Sequence, residues 1–179
     1  MKKIISYCTM AVMFSLFVAC GQRESGAPPK NEGAPTTPIA AAPATPQPAG
    51  PALTEFKCEL TAKRMPKQLQ VSADKTIIEV SVTNKSSAKW FAFLAGRSII
   101  NSVRIGYQWW LEKKMVVEGG RGELPSDLAP NETARIELEV LPPKTPGTYT
   151  LRIEPVQEAI AWFADAGGCK VEATVKVVR

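Results

Sequence analysis

Six stretches of this chain alternate apolar and polar side chains with a period of two, and this pattern leaves few folds open. Phe56, Cys58, Leu60 and Ala62 alternate with Lys57, Glu59, Thr61 and Lys63, and Ile78, Val80 and Val82 with Glu79, Ser81 and Thr83. Val103, Ile105, Tyr107, Trp109 and Leu111 are interleaved with Arg104, Gly106, Gln108 and Trp110. The pattern returns in Ala134, Ile136, Leu138 and Val140, in Tyr149, Leu151 and Ile153, and in Cys169, Val171, Ala173, Val175 and Val177. Successive side chains of a strand point to opposite faces, so each run reads as a strand with one face toward a core and one toward water. Turn-forming residues separate the runs at Asp74, Asn84-Lys85-Ser86, Glu118-Gly119-Gly120, Pro130-Asn131, Pro146-Gly147 and Gly167-Gly168. Pro155 reads as a break just after the fifth run. Short strands at this spacing, with no amphipathic helical stripe, predict an all-β, Ig-like antiparallel β-sandwich of about seven strands over residues 53–179.

The register places Cys58 on the inward face of the first strand and Cys169 on the inward face of the last. Terminal strands of such a sandwich often lie close together, and an exported chain meets an oxidising compartment. A Cys58–Cys169 disulfide is therefore expected, with two buried free thiols as the alternative.

The chain begins differently. Lys2 and Lys3 precede an apolar run over residues 4–18, and Leu16-Phe17-Val18-Ala19-Cys20 closes it. A basic start, an apolar stretch too short to span a bilayer and small residues before a cysteine predict a cleaved export signal over residues 1–19. The end of the run resembles the lipobox of bacterial lipoproteins, in which the cysteine is acylated and becomes the first residue, although Phe17 stands where Leu is more usual. The resemblance implies lipidation of Cys20, a partner in the membrane itself, and a place in the bacterial envelope. If the envelope is Gram-negative, Gly21 after the cysteine favours the outer membrane. Residues 20–52 then carry Pro28, Pro29, Pro35, Pro38, Pro43, Pro46, Pro48 and Pro51 among Ala, Gly and Thr. No apolar face repeats there, which predicts a disordered, polyproline-biased tether.

Composition narrows the chemistry. The chain of 179 residues has no histidine, which excludes Ser-His-Asp and Cys-His catalysis, His-ligated zinc and histidine pH switches. The formal net charge is +5, and about +3 once Lys2 and Lys3 are cleaved away. Basic and acidic residues alternate along the strands with no basic run, so nucleic acid is not an expected partner. Gly119-Gly120-Arg121-Gly122 lacks the Lys-Ser/Thr of a phosphate loop. Asp127, Glu132, Glu118 and Glu123 border turns, where carboxylates are ordinarily solvated rather than paired across a cleft. Neither an enzyme activity, a cofactor nor a metal is expected.

Several spaced motifs resemble a known module. They are Asn84 followed by Trp90, the run from Val103 to Trp109, Gly119 to Arg121, Leu124 to Pro130, Pro146 to Leu151, and Val156 to Phe163. Together they look like an Ig-like β-sandwich module of bacterial polysaccharide-related proteins, often appended to glycosyltransferases and methyltransferases. The resemblance covers about residues 69–179 and implies a binding accessory rather than an enzyme. Asn131 stands where that module usually has Gly, a substitution left-handed backbone tolerates. No transferase domain is present in these residues, so the enzymatic context does not carry over.

The aromatic residues are the candidate site. Trp109 reads as core, and Tyr149 as a corner tyrosine bonding nearby backbone. Trp110 points outward beside Arg104 and Gln108, where a ring next to polar donors can stack on a sugar or anchor a protein. Trp90 and Trp162 either join that surface or plug the ends of the sandwich. The expected partner is an envelope glycan or an envelope protein. The alternative is an assembly factor working by pairing of an edge strand.

Overall fold

The computed structural model describes residues 49–179. The expected export signal, Cys20 and the expected tether up to residue 48 lie outside the described residues. The strands are β1 (Cys58–Lys63), β2 (Gln68–Gln70), β3 (Thr76–Asn84), β4 (Val103–Leu111), β5 (Lys114–Glu123), β6 (Thr133–Val140), β7 (Gly147–Gln157), β8 (Ala161–Trp162) and β9 (Val171–Val178), with a short 3-10 turn at Ala164–Ala166. One sheet has the order β1-β3-β6; the other runs β2-β9-β7-β4-β5, with β8 against β7. The fold is an Ig-like β-sandwich, and all six alternating runs become strands (β1, β3, β4, β6, β7 and β9) with the expected inward residues, except Leu111, which is exposed where β4 ends at the hairpin tip. Ile78, Val80, Val82, Ile105, Trp109, Leu138, Leu151, Ile153 and Val175 fill the space between the sheets.

Three local expectations are corrected here. Glu118-Gly119-Gly120 is not a turn but the middle of β5; the chain reverses earlier, at Glu112-Lys113, where Glu112 has φ 55°. The glycine is needed for packing: a Cβ on Gly119 would sit 2.1 Å from the Tyr107 ring. β7 runs through Pro155 without a break. The Pro155 carbonyl accepts the Phe163 N–H, so its missing N–H falls on the same flank, where pairing with β9 has ended at Ile153 and pairing with β8 begins at Val156. β2 pairs parallel to β9, so the sandwich is not wholly antiparallel.

Cys169 precedes β9 rather than lying within it, yet the disulfide with Cys58 is present, with Cα atoms 5.5 Å apart. It joins the two sheets. A Cβ on Gly168 would meet the Phe56 carbonyl at 2.3 Å, so the bare glycine lets the chain cross close enough for the bond.

The two ends of the sandwich differ. At one end, where residues 49–53 join the domain, Gln157 is buried; its amide donates to the carbonyls of Pro51 and Asn101 (both 3.0 Å) and its Oε1 accepts the Leu53 N–H at 2.9 Å. Four residues expected to belong to a flexible tether, 49–52, thus begin the folded unit. Nearby, buried Asn84 donates to the carbonyls of Ala88 (2.8 Å) and Leu128 (2.9 Å) and accepts from the Ser86 N–H and hydroxyl. Ser86 Oγ in turn accepts the Trp90 indole N–H at 2.8 Å. At the other end, here called distal, the Tyr149 hydroxyl donates to the Thr145 carbonyl at 2.9 Å, the corner geometry read from the sequence.

Candidate functional site

Strand alternation puts Arg104, Gly106, Gln108 and Trp110 of β4 on the outer face of the larger sheet, beside Thr150, Arg152, Glu154 and Val156 of β7. Trp162 of β8 folds back over this face, and its ring lies where a Cβ on Gly106 would be, 2.6 Å from Cη2. Four of the five nominated residues, Arg104, Gln108, Trp110 and Trp162, therefore share one surface. Trp90 does not: it is fully buried and packs edge-on against Phe163, with centroids 5.0 Å apart.

The face divides into two clusters. In one, the Arg121 guanidinium stacks on the Trp162 ring at 4.4 Å, and its Nε donates to Glu158 Oε1 at 3.0 Å. Arg121 also donates to the Gly119 carbonyl at 2.9 Å and to Glu118 at 2.5 Å. Arg104 grips Glu123 with two nitrogens and reaches the same Glu158 oxygen at 3.3 Å. Both guanidiniums are therefore committed to neighbouring carboxylates, with side chains only 15% and 12% exposed. In the other cluster, Arg152 stacks on Trp110 at 4.1 Å and donates to Glu172 at 2.7 Å, while the Trp110 indole donates to Gln108 Oε1 at 3.0 Å. Burial pushes the Glu172 carboxyl up, but Arg152 and Lys170 more than offset this and hold it below the usual carboxylate range. A hollow of about 340 Å³ lies here, lined by Trp110, Thr150, Arg152, Lys170 and Glu172 among others. A cation over an aromatic face contributes ~0.5–2 kcal/mol; it also takes up a ring face on which a sugar would stack.

Beneath the β8 flap lies Glu154, fully buried. Its Oε2 accepts the Ala164 N–H at 2.6 Å, and its Oε1 has no partner. Desolvation raises its carboxyl above the ordinary range, only partly offset by that N–H.

The carboxylates weighed for catalysis are engaged locally. Burial pushes the Asp127 carboxyl up, but Arg97 at 2.5 Å and the Ala92 N–H at 3.0 Å outweigh it and hold the group low. That is the opposite of what a general acid needs. Glu132 accepts the Ala129 N–H at 2.7 Å, and Glu118 and Glu123 serve Arg121 and Arg104. Among the described residues, no group of three or more potential metal ligands is clustered.

A second surface lies outside the residues nominated from the sequence. At the distal end, Leu141 is 55% exposed, yet its N–H donates to the Tyr107 hydroxyl at 3.0 Å and its carbonyl accepts the Trp109 indole N–H at 2.8 Å. Two buried aromatics thus hold its backbone while the side chain faces solvent. It borders a groove of about 520 Å³ with Val116, Val117, Pro142, Pro143 and the Tyr107 ring. Leu111 and Met115 are exposed at the adjoining hairpin tip. The signal was present in Met115-Val116-Val117, an apolar run without strand alternation.

No protein-family model matches this sequence, and no curated protein matches it. Among solved structures it is similar to the CARDB domain of a Pyrococcus furiosus protein. The solution NMR structure is 15% identical, covering 68% of this chain and 96% of that chain at a TM-score of 0.39. The crystal structure of that domain in complex with di-metal ions is 16% identical, covering 72% and 95% at 0.39. The E. coli chaperone DraB is 9% identical, covering 68% of this chain and 55% of that chain at 0.30. The fold assignment rests on the strand order and register of this chain itself.

Proposed function

We propose that this chain is a non-catalytic binding module of the bacterial envelope, held to a membrane by acylated Cys20, and that it binds a protein through its distal end. The observation that carries this reading is Leu141, more than half exposed but with both backbone polar groups fixed by core aromatics. An apolar side chain on a fixed backbone has only its own rotamers left to order when a partner covers it, which lowers the entropy cost of binding. A groove of about 520 Å³ beside it is of the size that receives a partner's side chains. The other end also exposes Ile99, Ile100 and Ile160, but there the Ala49 N–H donates to the Ile100 carbonyl, so the chain's own segment already runs along it.

The glycan reading retains one supporting observation, the half-buried Trp110 beside a polar hollow. Tryptophan fluorescence of the mature protein against envelope polymers, with Trp110→Ala and Leu141→Asp variants, separates the two. The protein-partner reading expects no polymer to bind, and Leu141→Asp to lose the protein partner while Trp110→Ala keeps it. Saturable polymer binding abolished by Trp110→Ala and untouched by Leu141→Asp would replace it with the glycan reading.

A further inference from the structure

Among the described residues, the sheet edges of this sandwich are mostly short, covered or bulged, and β1 is the longest regular edge left open. The edge of β6 is covered by β5: a Cβ on Gly122 would lie 2.8 Å from Ile136 Cγ2 and 3.7 Å from the Glu137 carbonyl, leaving no lane for another strand. The outer edge of β5 is interrupted by register shifts at Gly106/Gln108 and Trp109/Trp110, and bulged edges resist strand addition. β2 has three residues and β8 two. β1, by contrast, keeps six consecutive pairs with β3 without a shift. Among the described residues, no backbone hydrogen bond beyond the β3 ladder is made from Cys58 to Arg64.

The register shows which groups are left over. Lys85 N–H donates to the Lys57 carbonyl at 3.0 Å, so residues 57 and 85 form a hydrogen-bonded pair. Bonded and non-bonded pairs alternate in an antiparallel ladder. Residues 59, 61 and 63 therefore turn their backbone groups toward β3, and Cys58, Leu60 and Ala62 turn theirs to the open edge. The side chains of Glu59, Thr61 and Lys63 are exposed on the outer face, while Leu60 and Ala62 are half-buried on the inner one.

We infer that β1 pairs antiparallel with β1 of a second copy of this chain, with the two-fold axis at Thr61. This register is complementary to itself in three independent ways. Leu60 falls opposite Ala62 of the second copy, so the open N–H and C=O groups of both meet as a hydrogen-bonded pair on each side of the axis. Glu59 falls opposite Lys63 of the second copy, twice, and opposite charges facing one another across strands stabilise. Lys63 makes no salt bridge among the described residues, and Glu59 has only Lys85 at 3.4 Å. Thr61 meets Thr61 on the axis, a favourable hydroxyl pair. The half-exposed Leu60 and Ala62 become covered, and the three-stranded sheets join into one of six. This inference is independent of the distal-end reading.

Thr61→Cys in the full, anchored chain tests it. Cβ atoms facing across a non-hydrogen-bonded pair lie ~4.5–5.5 Å apart, close enough for mild oxidation to link them after small adjustment. A covalent dimer is expected from Thr61→Cys and not from Thr83→Cys, on the same face but one strand in. Equal or absent linkage in the two would overturn the inference. Ala62→Pro deletes an N–H that the isolated domain does not use, so it is expected to keep the Cys58–Cys169 disulfide and native near-ultraviolet dichroism but to sediment as a monomer. A folded Ala62→Pro dimer would contradict the register. Lys63→Glu is expected to weaken association by about tenfold, and Glu59→Lys with Lys63→Glu to restore it; failure of that rescue would equally count against the pairing.

Discussion

The end of the sandwich that receives residues 49–53 and the distal end are built on opposite plans. The first buries its polar groups: Asn84, Ser86, Ser102, Glu154 and Gln157 are all enclosed there, and all but Glu154 have every buried polar side-chain atom paired. The Cys58–Cys169 bond closes the same end. The distal end buries aromatics instead and lets their N–H and O–H groups reach out to hold loop backbone, as Tyr107 and Trp109 do for Leu141. Buried polar networks specify one arrangement and are costly to break. An exposed apolar chain on fixed backbone costs the fold little and is available to a partner. The stabilising network and the proposed recognition surface thus lie at opposite ends, roughly 30 Å apart along a nine-residue strand.

Substitutions can break this division. The largest effect is expected from Cys58→Ser with Cys169→Ser, which reopens a sequence separation of 111 residues. A loss of about 2–5 kcal/mol in denaturant melts is predicted. Asn84→Ala comes next, at about 3 kcal/mol, because two carbonyls and two Ser86 groups lose a buried partner at once. It should also loosen Trp90, seen as a change in its fluorescence.

Glu154→Gln sharpens the comparison at the one unsatisfied atom. A carboxyl whose folded pKa is raised binds protons more tightly in the folded state. The wild type therefore loses stability as pH rises from the unfolded carboxylate value through the raised folded one. The amide variant should melt higher than wild type at pH 8, by an amount on the order of 1 kcal/mol, and the gap should close toward pH 4. The smallest change in stability, within ~0.5 kcal/mol, is expected for Leu141→Asp, since an exposed side chain is replaced and its backbone bonds remain. A large destabilisation there would show that the distal end is structural as well.

The sequence made the long strands legible because one face of each is buried: β6 alternates without interruption, and the inward residues of β4 are those read from the period except Leu111, which is exposed at the strand end. It also placed the disulfide partners, Trp109 and the Tyr149 corner. β5 escaped because Gly119 and Gly122 stand where ring and side-chain packing exclude a Cβ, and in a sequence such glycines look like turns. β7 looked broken at Pro155 because the gap between β8 and β9 that tolerates it is a matter of tertiary pairing. Arg104, Gln108 and Trp110 share one face of β4, as the period of two requires, whereas the place of Trp162 over that face follows from the β8 pairing. Their arginine partners, Arg121 and Arg152, come from other strands and could not be assigned without the register. Leu141 was invisible, since only its hydrogen bonds to Tyr107 and Trp109 distinguish it from any exposed leucine.

The most direct test replaces Leu141 with a photoreactive amino acid in the full chain and illuminates intact cells that produce it, with the same replacement at Thr174 on the outer face of the larger sheet as the comparison. If the distal end binds a protein, one discrete protein adduct is expected from position 141 and none from 174. An adduct from 174 alone, or none from 141 while Trp110→Ala abolishes binding to an envelope polymer, would contradict it.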